Sequence, residues 1–186
     1  MKDKYQVIVI GAGPAGYHAA IRCAQLGLST ACIDKMVSKD GEPTLGGTCL
    51  NWGCIPSKTL LDASYKFHEL DHGMEQLGIS TGKVSIDIEK MMENKDSVVK
   101  QLTGGVSALL SGNGVDILHG KGKLLANKRV LFTGHDGVEV ELAGEDIILA
   151  PGSVPVEIPS DPLDDNLIVD SSGGVEFNAV PKTLGI

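Results

Sequence analysis

Aromatic side chains are scarce in this chain: one Trp, three Tyr and three Phe make up 4% of its 186 residues. No apolar run approaches the roughly 18 residues that a membrane-spanning helix requires. The N-terminus, Met1-Lys2-Asp3-Lys4-Tyr5, enters a short apolar strand rather than the longer apolar core of a secretion signal, so a cytoplasmic address is expected. Positive charge is also short. The 16 Lys and Arg are scattered among 24 Asp and Glu, giving a net charge of −8. Nucleic-acid binding needs clustered cations facing phosphates, and no basic patch is present. Internal repeats and low-complexity segments are missing. What is plentiful is glycine, 24 residues, in a chain that is 42% hydrophobic. This is the composition of an ordinary soluble α/β protein, long enough for one sizeable core and one subdomain but not for two complete nucleotide-binding domains.

The order of elements supports that class. Tyr5-Gln6-Val7-Ile8-Val9-Ile10 is a short apolar run ending in glycine, and Pro14 to Leu28 then carries helix formers with Gly27 near the end. Ser29 to Asp34 reads as a second strand, so residues 5–34 form one βαβ unit with a right-handed crossover. Residues 35–47 form a polar, glycine-bearing loop. From Cys54 to His72, apolar residues recur at helical spacing, and Pro56 fits only the first turn. A second amphipathic run from Ile88 to Leu109 predicts a long helix that Gly104-Gly105 is placed to bend. Stretches 115–119, 121–125, 128–133 and 138–142 read as short strands of a small antiparallel insertion, spanning about residues 115–143. Ile147-Ile148-Leu149-Ala150 reads as a buried strand returning to the parallel sheet.

Gly11-Ala12-Gly13-Pro14-Ala15-Gly16 follows the first strand and opens the first helix. In this G-x-G-x-x-G setting Gly11 permits the tight turn, Gly13 lets backbone approach a pyrophosphate, and Gly16 permits close packing of helix on strand. The helix start offers free N–H groups and partial positive charge. Asp34, at the end of the second strand, is placed to accept hydrogen bonds from adenosine ribose hydroxyls. The loop alone does not separate FAD from NAD.

Four cysteines are present, at positions 23, 32, 49 and 54. Cys49 and Cys54 flank a helix entrance, five positions apart, in Gly46-Gly47-Thr48-Cys49-Leu50-Asn51-Trp52-Gly53-Cys54-Ile55-Pro56-Ser57-Lys58. On a regular helix that spacing separates the Cα atoms by roughly 8–9 Å, beyond disulfide reach of about 7 Å. A bridge therefore demands an irregular turn, which Gly53 makes available. The bland alternative is two unrelated reduced thiols. A thiol at a helix N-terminus with Lys58 one turn on suits thiol-disulfide exchange better than structural stapling. With no second Cys or His pair nearby, a metal site is not expected. Cys23 and Cys32 read as small core residues, and His18, His68, His72, His119 and His135 as surface or packing residues.

Together, Gly11–Gly16, Asp34 and the Gly-Gly-Thr-Cys-Leu-Asn-Trp-Gly-Cys-Ile-Pro-Ser-Lys segment resemble the class I pyridine nucleotide-disulfide oxidoreductases. The wording of the cysteine segment, Tyr65-Lys66-Phe67-His68, Leu102-Thr103-Gly104-Gly105-Val106 and Ile168-Val169-Asp170-Ser171-Ser172-Gly173 are most similar to the dihydrolipoamide dehydrogenase branch. The resemblance implies a Rossmann-like, three-layer α/β FAD-binding fold over residues 1–155, with the small antiparallel β insertion. Residues 156–186 would connect it toward an NAD-binding domain lying outside this chain. It implies a redox disulfide between Cys49 and Cys54, with Cys54 next to the flavin and Cys49 meeting dihydrolipoamide. FAD would also contact Gly11, Gly13, Pro14, Ala15 and Gly16 of the loop, Asp34 with Lys35, and Gly47, Thr48 and Gly53 around the cysteines. Lys58, Gly122, Ala150, Gly152 and Ser153 complete the expected cofactor contacts.

Electrons would pass from dihydrolipoamide, borne by a lipoyl-carrying acyltransferase or glycine cleavage protein, through the disulfide and FAD to NAD+, in a complete enzyme that is a homodimer. The chain by itself is expected to be a fragment unable to complete NAD-dependent turnover. Three positions depart from the family wording: Asp34 stands for Glu, Pro151 for Thr, and Trp52 for a small aliphatic residue. The rivals are another flavin disulfide reductase, of the mercuric or glutathione reductase type, and a non-catalytic truncated module.

Overall fold

A computed structural model describes residues 1–164 and 167–186. The chain divides into two compact units, residues 1–51 with 101–154, and residues 52–100 with 155–186. The first unit begins with β1 (Lys4–Ile10), α1 (Pro14–Gln25) and β2 (Thr30–Asp34), the expected βαβ arrangement. β1 and β2 pair in parallel, with Ile8 opposite Ala31 and Ile10 opposite Ile33. Val7, Ile8 and Val9 are all buried, as a strand covered on both faces requires. α1 starts on Pro14, whose missing N–H costs nothing in a first turn. It stops where Gly27 takes φ +82°, with Gly27 N–H donating to the Ala24 carbonyl and Leu28 N–H to that of Cys23, a Schellman closure.

The remaining strands differ from the sequence expectation in pairing and in burial. Residues 115–119 and 121–125, read as two strands, form one, β3 (Asp116–Leu124). Likewise 138–142 and 147–150 belong to one long strand, β5 (Glu139–Leu149), with β4 (Arg129–Gly134) between. The first half of β3 pairs in parallel with β2 and its second half antiparallel with β4. β5 pairs first with β4 and then, in parallel, with β1. The five strands therefore close into a barrel in the order β1-β2-β3-β4-β5. Gly120 read as a turn because glycine punctuates; instead it lets β3 change partners, since a Cβ there would meet the Thr133 carbonyl oxygen at 2.2 Å. The returning strand is less buried than expected, with Leu149 exposed.

The barrel encloses Tyr5, Ile8, Ala31, Ile33, Leu118, Val130, Phe132 and Leu142. Tyr5 is polar at one end and finds partners there. Its hydroxyl donates to Asp116 Oδ2 at 2.8 Å and accepts from the Lys2 N–H at 2.9 Å. Burial, with a smaller contribution from Asp116, pushes the phenol up to about 12 from its ordinary 10.

The second unit holds α3 (Cys54–His72), a 3-10 turn at Glu75–Leu77, the start of α4 (Ile88–Gly112) and a 3-10 turn at Gly173–Val175. α4 runs unbroken through Gly104-Gly105. Within this unit Lys95 is 1% exposed, yet its three N–H donors have three acceptors: Glu176 Oε1 at 2.6 Å, Asp96 Oδ1 at 3.1 Å and the Val175 carbonyl at 3.1 Å. A buried ammonium is tolerable only with such partners. Among the described residues no helix is long and apolar enough to cross a membrane.

Two outcomes follow from these buried polar groups. A phenol held neutral by the fold adds stability below pH 10 that is lost as pH rises through about 12. The difference in unfolding free energy between wild type and Tyr5→Phe, followed by urea titration, should therefore shrink between those values. In the second unit, Glu176→Gln should cost about 1–3 kcal/mol. A double-mutant cycle with Lys95→Met should return most of that loss as coupling.

Candidate functional site

The turn from β1 into α1 is formed by backbone. Gly11 has φ +105°, and a Cβ on it would lie 1.9 Å from the Ala150 carbonyl oxygen. A Cβ on Gly16 would lie 1.7 Å from the Gly11 carbonyl oxygen. These two glycines let strand end, helix start and the exit of β5 close on one another. Gly13 is different: its φ is −69° and its nearest neighbour would be Gly47 Cα at 3.7 Å, so nothing in the fold demands glycine there. Gly13 caps α1 without any side-chain cap hydrogen bond, and Pro14 and Ala15 beyond it are exposed. The first turn therefore presents N–H groups and the positive end of its dipole to whatever lies outside, a setting suited to a diphosphate.

Asp34 sits where the sequence expected it, but its carboxylate also braces this turn. Oδ2 accepts the Ala12 N–H at 2.5 Å and Oδ1 the Met36 N–H at 2.8 Å. Each oxygen keeps acceptor capacity for a hydroxyl. Ala12, fully buried, accepts in turn from the Gly46 N–H at 2.9 Å, and Thr44 N–H donates to the Met36 carbonyl at 3.1 Å. Gly47, at φ +63°, lies so close to Gly13 Cα that a Cβ would come to 2.7 Å. The dinucleotide-type loop, the end of β2 and the segment leading to the cysteines are thus stitched together.

That last segment holds a group that the sequence analysis did not single out. Asn51 is 8% exposed; its amide donates to the carbonyls of Leu45 and Gly47, each at 3.0 Å, and its Oδ1 accepts from Thr44 Oγ1 at 3.0 Å. An asparagine in an apolar pentapeptide was the available signal, but its partners lie in the preceding loop, which sequence alone does not fold.

Cys23 and Cys32 are free, whereas Cys49 and Cys54 are disulfide-bonded, hence to one another. The helix is broken as the spacing demanded: α2 (Gly47–Asn51) ends before Trp52, and α3 begins at Cys54 after Gly53 at φ −126°, ψ −106°. Cys49 is half-buried and Cys54 exposed. Cys32 is buried, its thiol pushed up to about 12 by desolvation and then by Asp34.

The other expected residues are scattered more widely. Gly122 lies inside the barrel, with Ile10 and Ile33 side chains 3.3–3.4 Å from where its Cβ would be. Lys35, Thr48, Gly152 and Ser153 are exposed. Lys58 belongs to the second unit and lines an open groove of about 620 Å³ along α3 with Asp62, Tyr65 and His68. Among the histidines, His119 pairs in register with Asp34, and burial together with His135 lowers its pKa.

Comparison with known proteins matches residues 5–186 to the pyridine nucleotide-disulphide oxidoreductase family. A dihydrolipoyl dehydrogenase of Cupriavidus necator is 42% identical over 100% of this chain and 40% of its own length. A mitochondrial dihydrolipoyl dehydrogenase of Arabidopsis thaliana is 42% identical over 98% of this chain and 35% of its own. A leghemoglobin reductase of Vigna unguiculata is 42% identical over 98% of this chain and 34% of its own. Among solved structures, a Cu(II) complex of a variant of the HOCl-induced flavoprotein disulfide reductase RclA from Escherichia coli superimposes with TM-score 0.75 at 25% identity. It covers 95% of this chain and 35% of that one. The chain thus spans about a third to two-fifths of the relatives it matches. Across residues 5–186, this chain belongs to the pyridine nucleotide-disulphide oxidoreductase family.

Proposed function

We propose that this chain is the FAD-binding, disulfide-bearing part of a dihydrolipoyl dehydrogenase. The observation that supports it most is the Cys49–Cys54 disulfide set across a helix break immediately after the segment packed on the glycine loop. The uncapped start of α1 fits a diphosphate, and Asp34 retains acceptor capacity for ribose hydroxyls beside it. FAD, held by Gly13, Pro14, Ala15 and Asp34, supplies the hydride chemistry when bound. In the complete protein the final acceptor would be NAD+, the assembly a homodimer, and the substrate a dihydrolipoyl group on an acyltransferase or glycine cleavage protein. A cytoplasmic address remains part of the proposal, although relatives in Arabidopsis thaliana and Pisum sativum are mitochondrial.

The chain's own chemistry is thiol-disulfide exchange. A substrate thiolate attacks Cys49 Sγ, the bond to Cys54 Sγ breaks, and Cys54 leaves as thiolate. The substrate's second thiol loses its proton to solvent and attacks its own first sulfur, releasing Cys49 as thiolate. Two electrons have moved to the cysteine pair, and the substrate leaves as a cyclic disulfide. The start of α3, where Gly53 provides no side-chain cap, favours negative charge on Cys54.

Two measurements test this reading. The purified chain mixed with FAD should show a flavin band and, at two electrons from dithionite, long-wavelength charge-transfer absorbance. Cys54→Ser should abolish that absorbance, whereas Cys49→Ser, whose Cys54 is already a free thiolate, should show it before any dithionite is added and lose it as two electrons reduce the flavin; a chain that takes up no FAD would overturn the proposal. Gly13→Ala separates ligand from fold, because its Cβ meets only Gly47 Cα at 3.7 Å. Its stability should fall by about 1 kcal/mol or less. Its FAD affinity should fall about tenfold or more, because the methyl stands where the diphosphate approaches.

A further inference from the structure

We infer that Asn51 is a positioning residue: its buried amide sets the Cys49 segment in register with the dinucleotide loop and so tunes both the disulfide and flavin binding. The inference rests on the flavin reading above only for its second half. Asn51 uses one oxygen and one amide nitrogen to tie two points of the preceding loop, the Thr44 hydroxyl and the Leu45 carbonyl, to the Gly47 carbonyl that opens α2. Met36 Sδ lies 3.5 Å from the same nitrogen, and Met36 in turn donates its N–H to Asp34. Thr44 is 9% exposed and Asn51 8%, so little solvent reaches either partner.

Two consequences follow from where these atoms lie. Gly47 is the residue that presses on Gly13, and Gly46 donates to Ala12, so the carbonyl held by Asn51 belongs to the glycine that meets the diphosphate loop. Cys49 lies between the accepting Gly47 and Asn51 itself, on the single turn of α2 that this bond closes from its C-terminal end. A five-residue helix is too short to be stable from its own hydrogen bonds. The amide therefore decides whether Cys49 is held where its bond to Cys54 forms readily. By linkage, a group that holds the oxidised geometry raises the equilibrium constant for disulfide formation by the factor that the disulfide raises its ordering.

The test equilibrates wild type, Asn51→Asp and Thr44→Val in dithiothreitol redox buffers without added FAD and traps free thiols by alkylation. Asn51→Asp keeps the side-chain volume but removes both amide donors. It should lower the disulfide formation constant about tenfold, which is close to 30 mV for a two-electron couple. Its FAD affinity, read by quenching of flavin fluorescence, should fall about tenfold, while its far-ultraviolet circular dichroism stays that of wild type. Thr44→Val removes one donor and leaves the amide bonds, and should lower the disulfide constant by about twofold to fivefold. A purely structural role would lower the unfolding temperature of Asn51→Asp with the disulfide constant unchanged, and a constant within twofold of wild type overturns the inference. If Asn51→Asp does not fold, Thr44→Val decides: a constant equal to wild type overturns the inference and a graded fall supports it. If wild type binds no FAD but Asn51→Asp still lowers the disulfide constant, the positioning role stands and the flavin reading falls.

Discussion

Ala12 is the point on which the first unit turns. It is fully buried, its N–H goes to Asp34 and its carbonyl receives the N–H of Gly46, so one residue joins the end of β2 to the segment that bears the first cysteine. Apart from the Asp34 carboxylate, no side chain larger than a methyl is involved. The consequence is a junction made mostly of main-chain groups, whose hydrogen bonds are obligatory once water is excluded. The glycines at 11, 16 and 47 are the steric counterpart: each would place a Cβ under 3 Å from backbone, and none of those neighbours is a flexible side-chain end. Close approach of three main-chain segments is possible only because these positions lack side chains.

The same junction explains how Asp34 can stand where the resemblance leads one to expect a longer acid. A carboxylate one methylene shorter remains near its own strand, and here it reaches the Ala12 and Met36 N–H groups. Its first consequence is to fix the turn; the proposed contact with a ribose would be a second demand on the same oxygens. Both can be met because each carboxylate oxygen accepts more than one bond.

Much of this was legible in the sequence, and the limits have a physical cause. The β1-α1-β2 unit, the glycine loop and the irregular turn between the cysteines follow from local rules: glycine at positive φ, proline in a first helical turn, and the reach of a disulfide against helical rise. The chain therefore states them within a few residues. The barrel closure was not legible, because Gly120 marks a turn and a change of strand partner in the same way, and Thr133 decides between them from the far side of a hairpin. Lys95 and Glu176, 81 residues apart, gave no sign of pairing. Asn51 was passed over for a different reason: polar residues near a helix end usually serve their own helix, whereas two of its three partners lie in the loop before α2.

The proline at 151 shows how the architecture absorbs a departure. A proline inside a strand would remove a ladder donor. β5, however, ends at Leu149, and the last bond on that line is already made by the Ala150 N–H to the Ile10 carbonyl at 2.8 Å. Position 151 has no ladder partner to lose. Proline also biases the residue before it toward extended backbone, and Ala150 is the residue whose carbonyl must lie over Gly11. Compared with the threonine that the resemblance leads one to expect, Pro151 lacks a hydroxyl and stiffens the chain where it passes from the end of β5 by the glycine turn. What a threonine would offer there as a hydrogen-bonding side chain, this chain replaces with a restricted backbone, and the glycine turn keeps its geometry.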